Sequence, residues 1–282
     1  MANGGASYRL PEDLKGSILG EIMGIKLLEI AAAKQKLPAS SLRKALERAE
    51  PVRSLKGALL RHAPAIIAEI KKASPSAGIL RKDFDPVKIA REYDKSGAAA
   101  LSVITEVHHF KGGLENLAAV RWSSRVPLLR KDFLVDSYQI LESRCSGADA
   151  VLLIAALLDS SSLAKLIEEA GAVGMEALVE VHNEHELKSA LAAGATLIGV
   201  NNRDLRTFEV SLDVGIKLAP LLPKTVIPVA ESGIREAGDI HKLMAAGYRG
   251  FLIGELFMKA PSPGAALSEL LSACARVVKK AS

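Results

Sequence analysis

The stretch Ile66-Ile67-Ala68-Glu69-Ile70-Lys71 is apolar except for two charged side chains near its end. Such a run predicts a strand buried on both faces, as in a parallel sheet covered by helices. A buried strand has no structural need for Glu or Lys, because removing a charge from water is costly. Four more runs end in the same way: Val126 to Asp132, Ala177 to Glu180, Leu197 to Arg203 and Ile227 to Glu231. If all these ends point in one direction, their polar side chains meet at one opening.

A second pattern, which recurs along the chain, predicts how these strands are connected. A helix-like segment ends in glycine and an apolar run follows, at Gly97, Gly147, Gly174, Gly194 and Gly247. Glycine just past a helix end can adopt the left-handed cap. With the runs at 66–71, 126–131 and 225–231, the pattern predicts eight strands that alternate with helices. We therefore predict an α/β fold, a single (β/α)8 TIM barrel, which needs about 250 residues.

The segment before the first strand predicts helices at 14–34, 42–49 and 55–61, and Pro38 separates the first two. We predict that residues 1–62 form an N-terminal helical extension packing on the barrel and that residues 63–282 form the barrel, as one domain overall. A dimerisation arm is the alternative for the extension. We expect a monomer, with a dimer as the alternative, and disorder in the first ten residues.

Composition excludes several classes of protein. The net charge is +5 and the pI about 9.1, but the basic residues are scattered and aromatics make up only 4%. A nucleic-acid-binding surface is therefore not expected, whereas a cationic pocket for an anionic metabolite is compatible with this charge. No apolar run reaches the roughly 20 residues of a membrane helix. Cys145 and Cys274 lack metal-ligand spacing, which predicts reduced thiols.

The first eleven residues lack the features of a signal peptide. We expect a cytoplasmic location. If the source is a plant, an organelle stroma is the alternative, although the sequence carries no recognisable transit peptide.

Lysines close two of the predicted strands. Glu69 and Lys71 alternate along the first strand, so they share a face that can be the barrel lumen, and Ser74 follows them. The alternative is a solvated ion pair. Lys131 ends the third strand, where burial and nearby cations can lower its pKa toward use as a proton donor. It could instead form a Schiff base, or lie on the surface.

Other strand ends carry carboxylate, amide and guanidinium groups. Glu180 lies among apolar neighbours near the end of its strand and is a candidate general acid or base, whereas Glu176 at the strand start suits the surface. Asn201 and Arg203 suit recognition of hydroxyl and carboxylate groups, although Asn and Asp are also common in turns.

Two glycine-containing motifs follow strands seven and eight: Glu231-Ser232-Gly233-Ile234 and Leu252-Ile253-Gly254-Glu255. In (β/α)8 barrels, these loops commonly bind a phosphate. A phosphorylated small-molecule substrate is therefore expected. The pair His108-His109 has no further ligands near it in the sequence, so no metal site is predicted. Phe110 and Phe133 either pack in the core or form the wall of a site for an aromatic ligand.

The strand-end motifs, taken in order, resemble those of the indole-3-glycerol phosphate synthase family of tryptophan biosynthesis. The resemblance covers about residues 60 to 260, with one motif at each of several strand ends, and the N-terminal extension also resembles that family. The motifs are 67–76 (IAEIKKASPS), 101–106 (LSVITE) with Phe110, 129–133 (LRKDF), 200–205 (VNNRDL) and 229–234 (VAESGI).

The resemblance implies a carbon–carbon lyase, a carboxy-lyase that needs no metal or organic cofactor. Its reaction closes 1-(o-carboxyphenylamino)-1-deoxyribulose 5-phosphate to indole-3-glycerol phosphate, with loss of carbon dioxide and water. By resemblance Lys131 is the general acid at the ketone and Glu180 the base of dehydration. Either Lys131 or Lys71 is the acid of dehydration.

The resemblance also implies roles for the remaining residues. Glu69 and Glu180 would stabilise positive charge on the intermediate, and Asn201 and Glu231 would orient the reacting centre. Lys71 and Arg203 would hold substrate anions. Phe110 and Phe133 would sandwich the anthranilate ring. The phosphate would lie against Ser232, Gly233, Gly254 and the amide of Glu255.

Three other functions compete with this interpretation. A phosphoribosylanthranilate isomerase would share the phosphate loops but would not need two strand-end lysines. A barrel that only binds a phosphorylated metabolite would not need the acids and bases present here. A nucleic-acid-binding protein would show steeply salt-dependent binding.

Overall fold

A computed structural model describes residue 8, residues 10–204 and residues 207–281, with backbone only for residue 13 and residues 277–281. The predicted disorder of the first ten residues falls mainly outside the described residues, as does Leu205 of the sixth-strand motif.

Eight parallel strands close into a barrel in which each strand pairs with the next in sequence and the eighth pairs with the first. They are β1 (Ala65–Ile70), β2 (Ala100–Ile104), β3 (Leu128–Lys131), β4 (Ala150–Ile154), β5 (Glu176–Val181), β6 (Leu197–Asn201), β7 (Ile227–Glu231) and β8 (Gly250–Ile253). Each predicted strand is present, with both ends within two residues of the prediction. The predicted (β/α)8 barrel is therefore confirmed. A short antiparallel ribbon, Ala73–Ser74 with Gly78–Ile79, follows β1 and was not predicted.

Twelve α-helices lie among the described residues. They are α1 (Ile18–Lys36), α2 (Ala39–Leu46), α3 (Leu55–Arg61), α4 (Pro86–Lys95), α5 (Leu114–Arg121), α6 (Ser137–Cys145), α7 (Ser160–Ala172), α8 (Glu184–Ala192), α9 (Asp213–Leu218), α10 (Ala237–Ala245), α11 (Glu255–Lys259) and α12 (Pro263–Ala281). Short 3-10 turns occur at Glu12–Leu14, Ala155–Leu157 and Ala219–Leu221. The prediction of a helix at 42–49 was wrong by three residues, because the helix begins directly after Pro38.

Local signals explain where the barrel helices begin and end. Asp85 accepts hydrogen bonds from the amides of Val87 and Lys88 and thereby caps α4, whose first residue is Pro86. The five glycines of the repeated pattern all have φ between 80° and 107°. This left-handed backbone ends the helix and turns the chain into the next strand.

The N-terminal helices share the hydrophobic core of the barrel. Leu19 and Met23 of α1 are buried in the same cluster as the barrel strands. At the carboxyl ends of the strands, Lys26 of α1 lies 3.0 Å from Asp132, which directly follows β3. Helix α2 packs on α6, where Leu42 contacts Leu141. The extension therefore packs on the barrel, and the domain boundary after residue 62 stays a prediction.

A buried carboxylate joins the extension to the opposite end of the barrel. Asp149, which precedes β4, is fully buried and contacts Nη1 of Arg121 at 2.7 Å. It also accepts hydrogen bonds from the amides of Arg53 and Leu128 at 2.8 and 2.9 Å. Arg121 in turn donates to the carbonyl of Pro51 at 2.7 Å. This cluster fixes the chain that leads into α3 against the amino ends of the strands.

Cys145 and Cys274 form no disulfide, as predicted. Within the part of the chain that the structure describes, no helix combines the length and apolar character needed to cross a bilayer.

We predict that Asp149→Ala lowers the free energy of unfolding by about 3–5 kcal/mol, because it leaves a buried guanidinium without its carboxylate. Urea unfolding measures this change. The control is Glu184→Ala, which removes an exposed ion pair with Lys188 and should leave the free energy of unfolding nearly unchanged. A loss below about 1 kcal/mol for Asp149→Ala would contradict the assigned role of this cluster.

Candidate active site

One cavity opens at the carboxyl ends of the strands and encloses about 1100 Å³, including the space at its mouth. All fourteen side chains or glycines proposed from the sequence line it: Glu69, Lys71, Ser74, Phe110, Lys131, Phe133, Glu180, Asn201, Arg203, Glu231, Ser232, Gly233, Gly254 and Glu255. They come from seven different strands or the loops that follow them. The closed ring of strands brings these distant residues together.

Lys131 lies at the centre of the charged groups. Its Nζ is 2.8 Å from Oε2 of Glu180 and 3.4 Å from Oε2 of Glu231. Glu180 and Glu231 are each only 1% exposed, and the Lys131 side chain is 17% exposed. The Lys131 amino group thus lies between two buried glutamate side chains and lines the cavity, within reach of a ligand.

The environment of Lys131 is anionic. Burial alone would lower the pKa of Lys131, but attraction to Glu180, Glu231 and Glu69 outweighs it and raises the pKa well above the ordinary value. The prediction that nearby cations lower this pKa is therefore wrong. Lys131 is an ammonium group at neutral pH, which suits a proton donor. The Schiff-base alternative is disfavoured, because that chemistry needs a neutral amine.

Glu180 and Glu231 differ in charge state. Burial would raise the pKa of Glu180, but the nearby cations Lys131 and His182 lower it overall, so Glu180 is a carboxylate. For Glu231, burial and then repulsion by Glu180 and Glu69 outweigh the attraction of Lys131 and raise its pKa to about 8. Neither oxygen of Glu231 has a hydrogen-bond partner among the described residues. One carboxylate of the pair is thus suited to accept a proton and the other to carry one.

Glu69 and Lys71 form a second pair at the end of β1. Lys71 Nζ lies 2.7 Å from Glu69 Oε1, and both side chains are largely buried. The predicted alternative, a solvated ion pair, does not describe them. Gly254 passes directly over Glu69, and a Cβ atom on residue 254 would overlap the Glu69 carboxylate. A glycine is therefore required for the loop after β8 to approach this pair.

Asn201 and Arg203 are held by short contacts at the end of β6. Asn201 Nδ2 donates to Glu180 Oε1 at 3.0 Å, and its Oδ1 accepts from the amide of Arg203 at 3.0 Å. The Arg203 guanidinium lies 3.5 Å from Oε2 of Glu255. By contrast, Asn202 is buried against the carbonyl of Glu231 and has a structural role.

Phe110 and Phe133 lie side by side, with ring centroids 6.3 Å apart and planes tilted by 47°. At this separation they contact each other and form one wall of the cavity. A sandwich around a substrate ring would require the two rings to separate.

The phosphate-loop candidates lie across the cavity mouth. Ser232 and Gly233 have φ of 62° and 80°, so two successive residues adopt the left-handed conformation. A side chain at position 233 would approach Val210 to 2.8 Å. Ser74, in the ribbon after β1, accepts a hydrogen bond from the amide of Ala77.

Two residues beside the site were not identified as functional from the sequence. Glu106, which lines the cavity, accepts hydrogen bonds from the amides of His108, His109 and Phe110 and so shapes the loop that carries Phe110. His182 follows β5 and lies 3.2 Å from Glu180. Both are polar residues directly after a buried strand, which is the signal that identified the other candidates.

The histidine pair after β2 contacts acidic residues of the N-terminal extension: His108 lies 3.0 Å from Glu29 and His109 3.6 Å from Glu21. Across residues 8, 10–204 and 207–281, no group of three or more His, Cys, Asp or Glu side chains has the geometry to hold a metal ion.

The sequence is similar to one known protein family and to individual proteins within it. A profile of the family described as indole-3-glycerol phosphate synthase matches residues 19–270. The chain is 51% identical to the indole-3-glycerol phosphate synthase of Carboxydothermus hydrogenoformans over 262 residues, which cover 90% of this chain and 99% of that protein. It is 48% identical to that of Albidiferax ferrireducens over 259 residues, with 90% and 98% covered.

Solved structures of lower sequence identity share the barrel fold. Thiamine phosphate pyrophosphorylase from Pyrococcus furiosus superposes with a TM-score of 0.59 at 18% identity, over 78% of this chain and 99% of that one. KGPDC from Streptococcus mutans gives a TM-score of 0.57 at 12% identity, over 76% of this chain and 99% of that one. At these identities the likeness concerns the fold alone.

We predict that Glu231→Gln stabilises the protein more at pH 8 than at pH 5. The unfolded chain ionises Glu231 near its ordinary pKa of 4.5, whereas the folded chain keeps the proton up to about pH 8. Between these values the folded state binds the extra proton, so the stability of the wild type falls as the pH rises.

Urea unfolding at both pH values tests this prediction. The gain in unfolding free energy for Glu231→Gln over wild type should be larger at pH 8 by at least about 1 kcal/mol. Glu168→Gln, on the exposed face of α7, is the control and should leave the wild-type difference between the two pH values in place. An equal gain at both pH values would show that Glu231 does not hold the extra proton.

Proposed function

The chain belongs to the indole-3-glycerol phosphate synthase family, and we propose that its barrel cavity converts 1-(o-carboxyphenylamino)-1-deoxyribulose 5-phosphate to indole-3-glycerol phosphate through the residues identified above. The enzyme is a carbon–carbon lyase of tryptophan biosynthesis. The individual residue roles are our proposal.

The observation that carries these roles is the contact of Lys131 with two buried glutamate side chains inside the barrel cavity. Its Nζ lies 2.8 Å from Glu180 and 3.4 Å from Glu231, with Phe110 and Phe133 forming a wall of the same cavity. The reaction needs a proton donor, a proton acceptor and a place for an aromatic ring, and these groups can supply all three.

Ring closure begins when an aromatic carbon attacks the ketone carbon of the substrate. The carbonyl oxygen becomes an alkoxide as the new carbon–carbon bond forms, and it takes a proton from the Lys131 ammonium. An alkoxide is a stronger base than an amine, so this transfer is favourable even though the pKa of Lys131 is raised. Positive charge develops on the ring and nitrogen, and the buried carboxylates of Glu180 and Glu69 stabilise it. Loss of carbon dioxide leaves its bonding electrons in the ring.

Dehydration then removes the hydroxyl group formed in the first step. Glu180 accepts a proton from the intermediate, while an ammonium group protonates the departing hydroxyl, which leaves as water. Lys71 and Lys131 both line the cavity. Lys71 can serve as this acid directly, whereas Lys131 can do so only after it regains from solvent the proton that it gave up in ring closure. Asn201 fixes Glu180 for the transfer through its 3.0 Å hydrogen bond.

The anionic ends of the substrate match cationic and backbone groups at the mouth. Arg203 and Lys71 both line the cavity and can hold the carboxylate and phosphate groups. Ser232, Gly233 and Gly254, in the loops after β7 and β8, line the cavity and can contact the phosphate through their backbone. Binding at both ends would place the ketone over Lys131.

We predict that Lys131→Met and Glu180→Gln each lower turnover by at least about a hundredfold, because each removes a proton-transfer group. Indole fluorescence during turnover of the carboxyphenylamino sugar phosphate measures this loss. Glu176→Gln is the matched control, because Glu176 lies on the same strand at the other end of the barrel, where it contacts Ser54 and Lys56. Turnover near the wild-type rate in Lys131→Met would refute the assigned general acid.

We predict that inorganic phosphate competes with the substrate and that Gly254→Ala weakens this competition by about tenfold, because the new methyl group must displace Glu69 or the loop. Inhibition constants for phosphate measure the effect. Gly171→Ala on α7, where a Cβ atom meets no neighbour, is the control. Equal inhibition of Gly254→Ala and wild type would place the phosphate elsewhere.

A further inference from the structure

His182 lies between two carboxylates at the end of β5. Its Nδ1 is hydrogen-bonded to Oε2 of Glu186 on α8 at 2.9 Å. Its Nε2 lies 3.2 Å from Oε1 of Glu180, a close charge contact that lacks hydrogen-bond geometry. The side chain is only 11% exposed. A buried imidazole with a carboxylate on each ring nitrogen is stabilised in its doubly protonated, cationic form.

Glu186 is held firmly in place. Besides the ring of His182, its carboxylate accepts hydrogen bonds from the His182 backbone amide at 2.8 Å and from Asn183 Nδ2 at 2.6 Å. The Glu186 amide donates back to Asn183 Oδ1 at 3.0 Å, which caps α8. The orientation of the His182 ring is therefore fixed by the first turn of a helix outside the catalytic cavity.

His182 approaches Glu180 from the side away from the substrate. Glu180 lines the catalytic cavity, whereas His182 lines a separate cavity together with Glu186 and His185 of α8. An effect of His182 on the reaction must therefore pass through Glu180.

The charged groups around this pair come from several elements. Glu180 faces Lys131 of β3 at 2.8 Å and is repelled by Glu231 of β7. On the other side, the separate cavity contains Asp159, which is engaged by the hydroxyl of Ser161 and the amide of Ser162, as well as exposed His185 and Asp204. Glu186 is the acidic side chain in contact with Nδ1, on the outer edge of the His182 ring.

The balance of these groups favours the cation. Burial would lower the pKa of His182, but its contacts with Glu180 and Glu186 raise it to about 10. Glu180 is thus flanked by two cations, with Lys131 on Oε2 and His182 together with the Asn201 amide on Oε1. The hydrogen bonds from Lys131 and Asn201 engage one oxygen of Glu180 each, and His182 adds a positive charge beside Oε1.

We propose that His182, held by Glu186, is a positioning residue that orients the Glu180 carboxylate and keeps it ionised for proton transfer. This inference rests on the proposed role of Glu180 as the base. His182 does not touch the substrate. It supplies a fixed positive charge behind the base, opposite Lys131.

Kinetics of His182→Gln test the proposal. Glutamine can keep a donor near Glu180 but carries no charge. We expect kcat to fall about tenfold with KM changed less than about twofold. The acid limb of the kcat–pH profile should move to higher pH by at least about one unit, because Glu180 is protonated more easily without the neighbouring cation.

Glu186→Gln tests whether the charge of the His182 ring matters, because this variant keeps the ring but makes its cationic form less stable. With one carboxylate lost, the pKa of His182 falls. The imidazole then stays protonated in acid but loses its charge at a lower pH than in the wild type. The acid limb should therefore remain in place, while the alkaline limb should move to lower pH. If His182→Gln fails to fold, Glu186→Gln still tests whether the charge of His182 acts on Glu180.

His185→Gln is the matched control, since His185 lines the same cavity but is exposed. Its kcat and pH profile should equal those of the wild type. NMR provides a measurement that does not depend on activity: the ¹⁵N chemical shifts of the ring nitrogens of the six histidines. The His182 signals are those that disappear in His182→Gln. His182 should remain an imidazolium up to at least about pH 8.

Glu180→Gln distinguishes failure of the inference from failure of the proposed function. If Glu180→Gln turns over normally, the base has been assigned wrongly and the inference loses its premise. If Glu180→Gln is inactive while His182→Gln and Glu186→Gln match the wild type in kcat and pH profile, only the positioning role is refuted. A neutral His182 imidazole at pH 7 would also refute it.

Discussion

The arrangement of the site depends on the ion pair between Lys131 and Glu180 inside the barrel. Two charges at 2.8 Å with little access to water attract each other strongly, but each also loses its hydration. The cost is met only because further groups surround them: Asn201 and His182 on Glu180, and Glu231 near Lys131. Removal of one partner would leave a buried charge, so the residues of this cluster hold one another in place.

The remainder of the barrel supplies the rigid frame that such a cluster needs. Strands β3, β5, β6 and β7 each contribute one member, and their parallel pairing fixes the spacing between them. Asp132, which also lines the cavity, is held by Arg130, Thr105 and Lys26 at 3.0, 2.6 and 3.0 Å. Because Asp132 follows Lys131 directly, the N-terminal extension contacts the chain beside the proposed general acid.

The charge pattern also explains how a single cavity can both donate and accept protons. Lys131 and His182 stabilise the ionised form of Glu180, whereas burial and neighbouring carboxylates favour the protonated form of Glu231. The two glutamates lie on either side of one lysine, yet their pKa values are pushed in opposite directions. Such separation of pKa values is the usual way in which a protein assigns acid and base roles to like groups.

The sequence by itself determined the eight strands and indicated fourteen residues that line one cavity, since burial on both faces, glycine caps and strand-end charges are local signals. Tertiary structure decided the rest, because charge states and side-chain contacts depend on neighbours that are far apart in the chain. The neighbours of Lys131 were expected to be cations, and folding places carboxylates there. The role of His182 required both Glu180 and the first turn of α8, and only the closed barrel brings these three together.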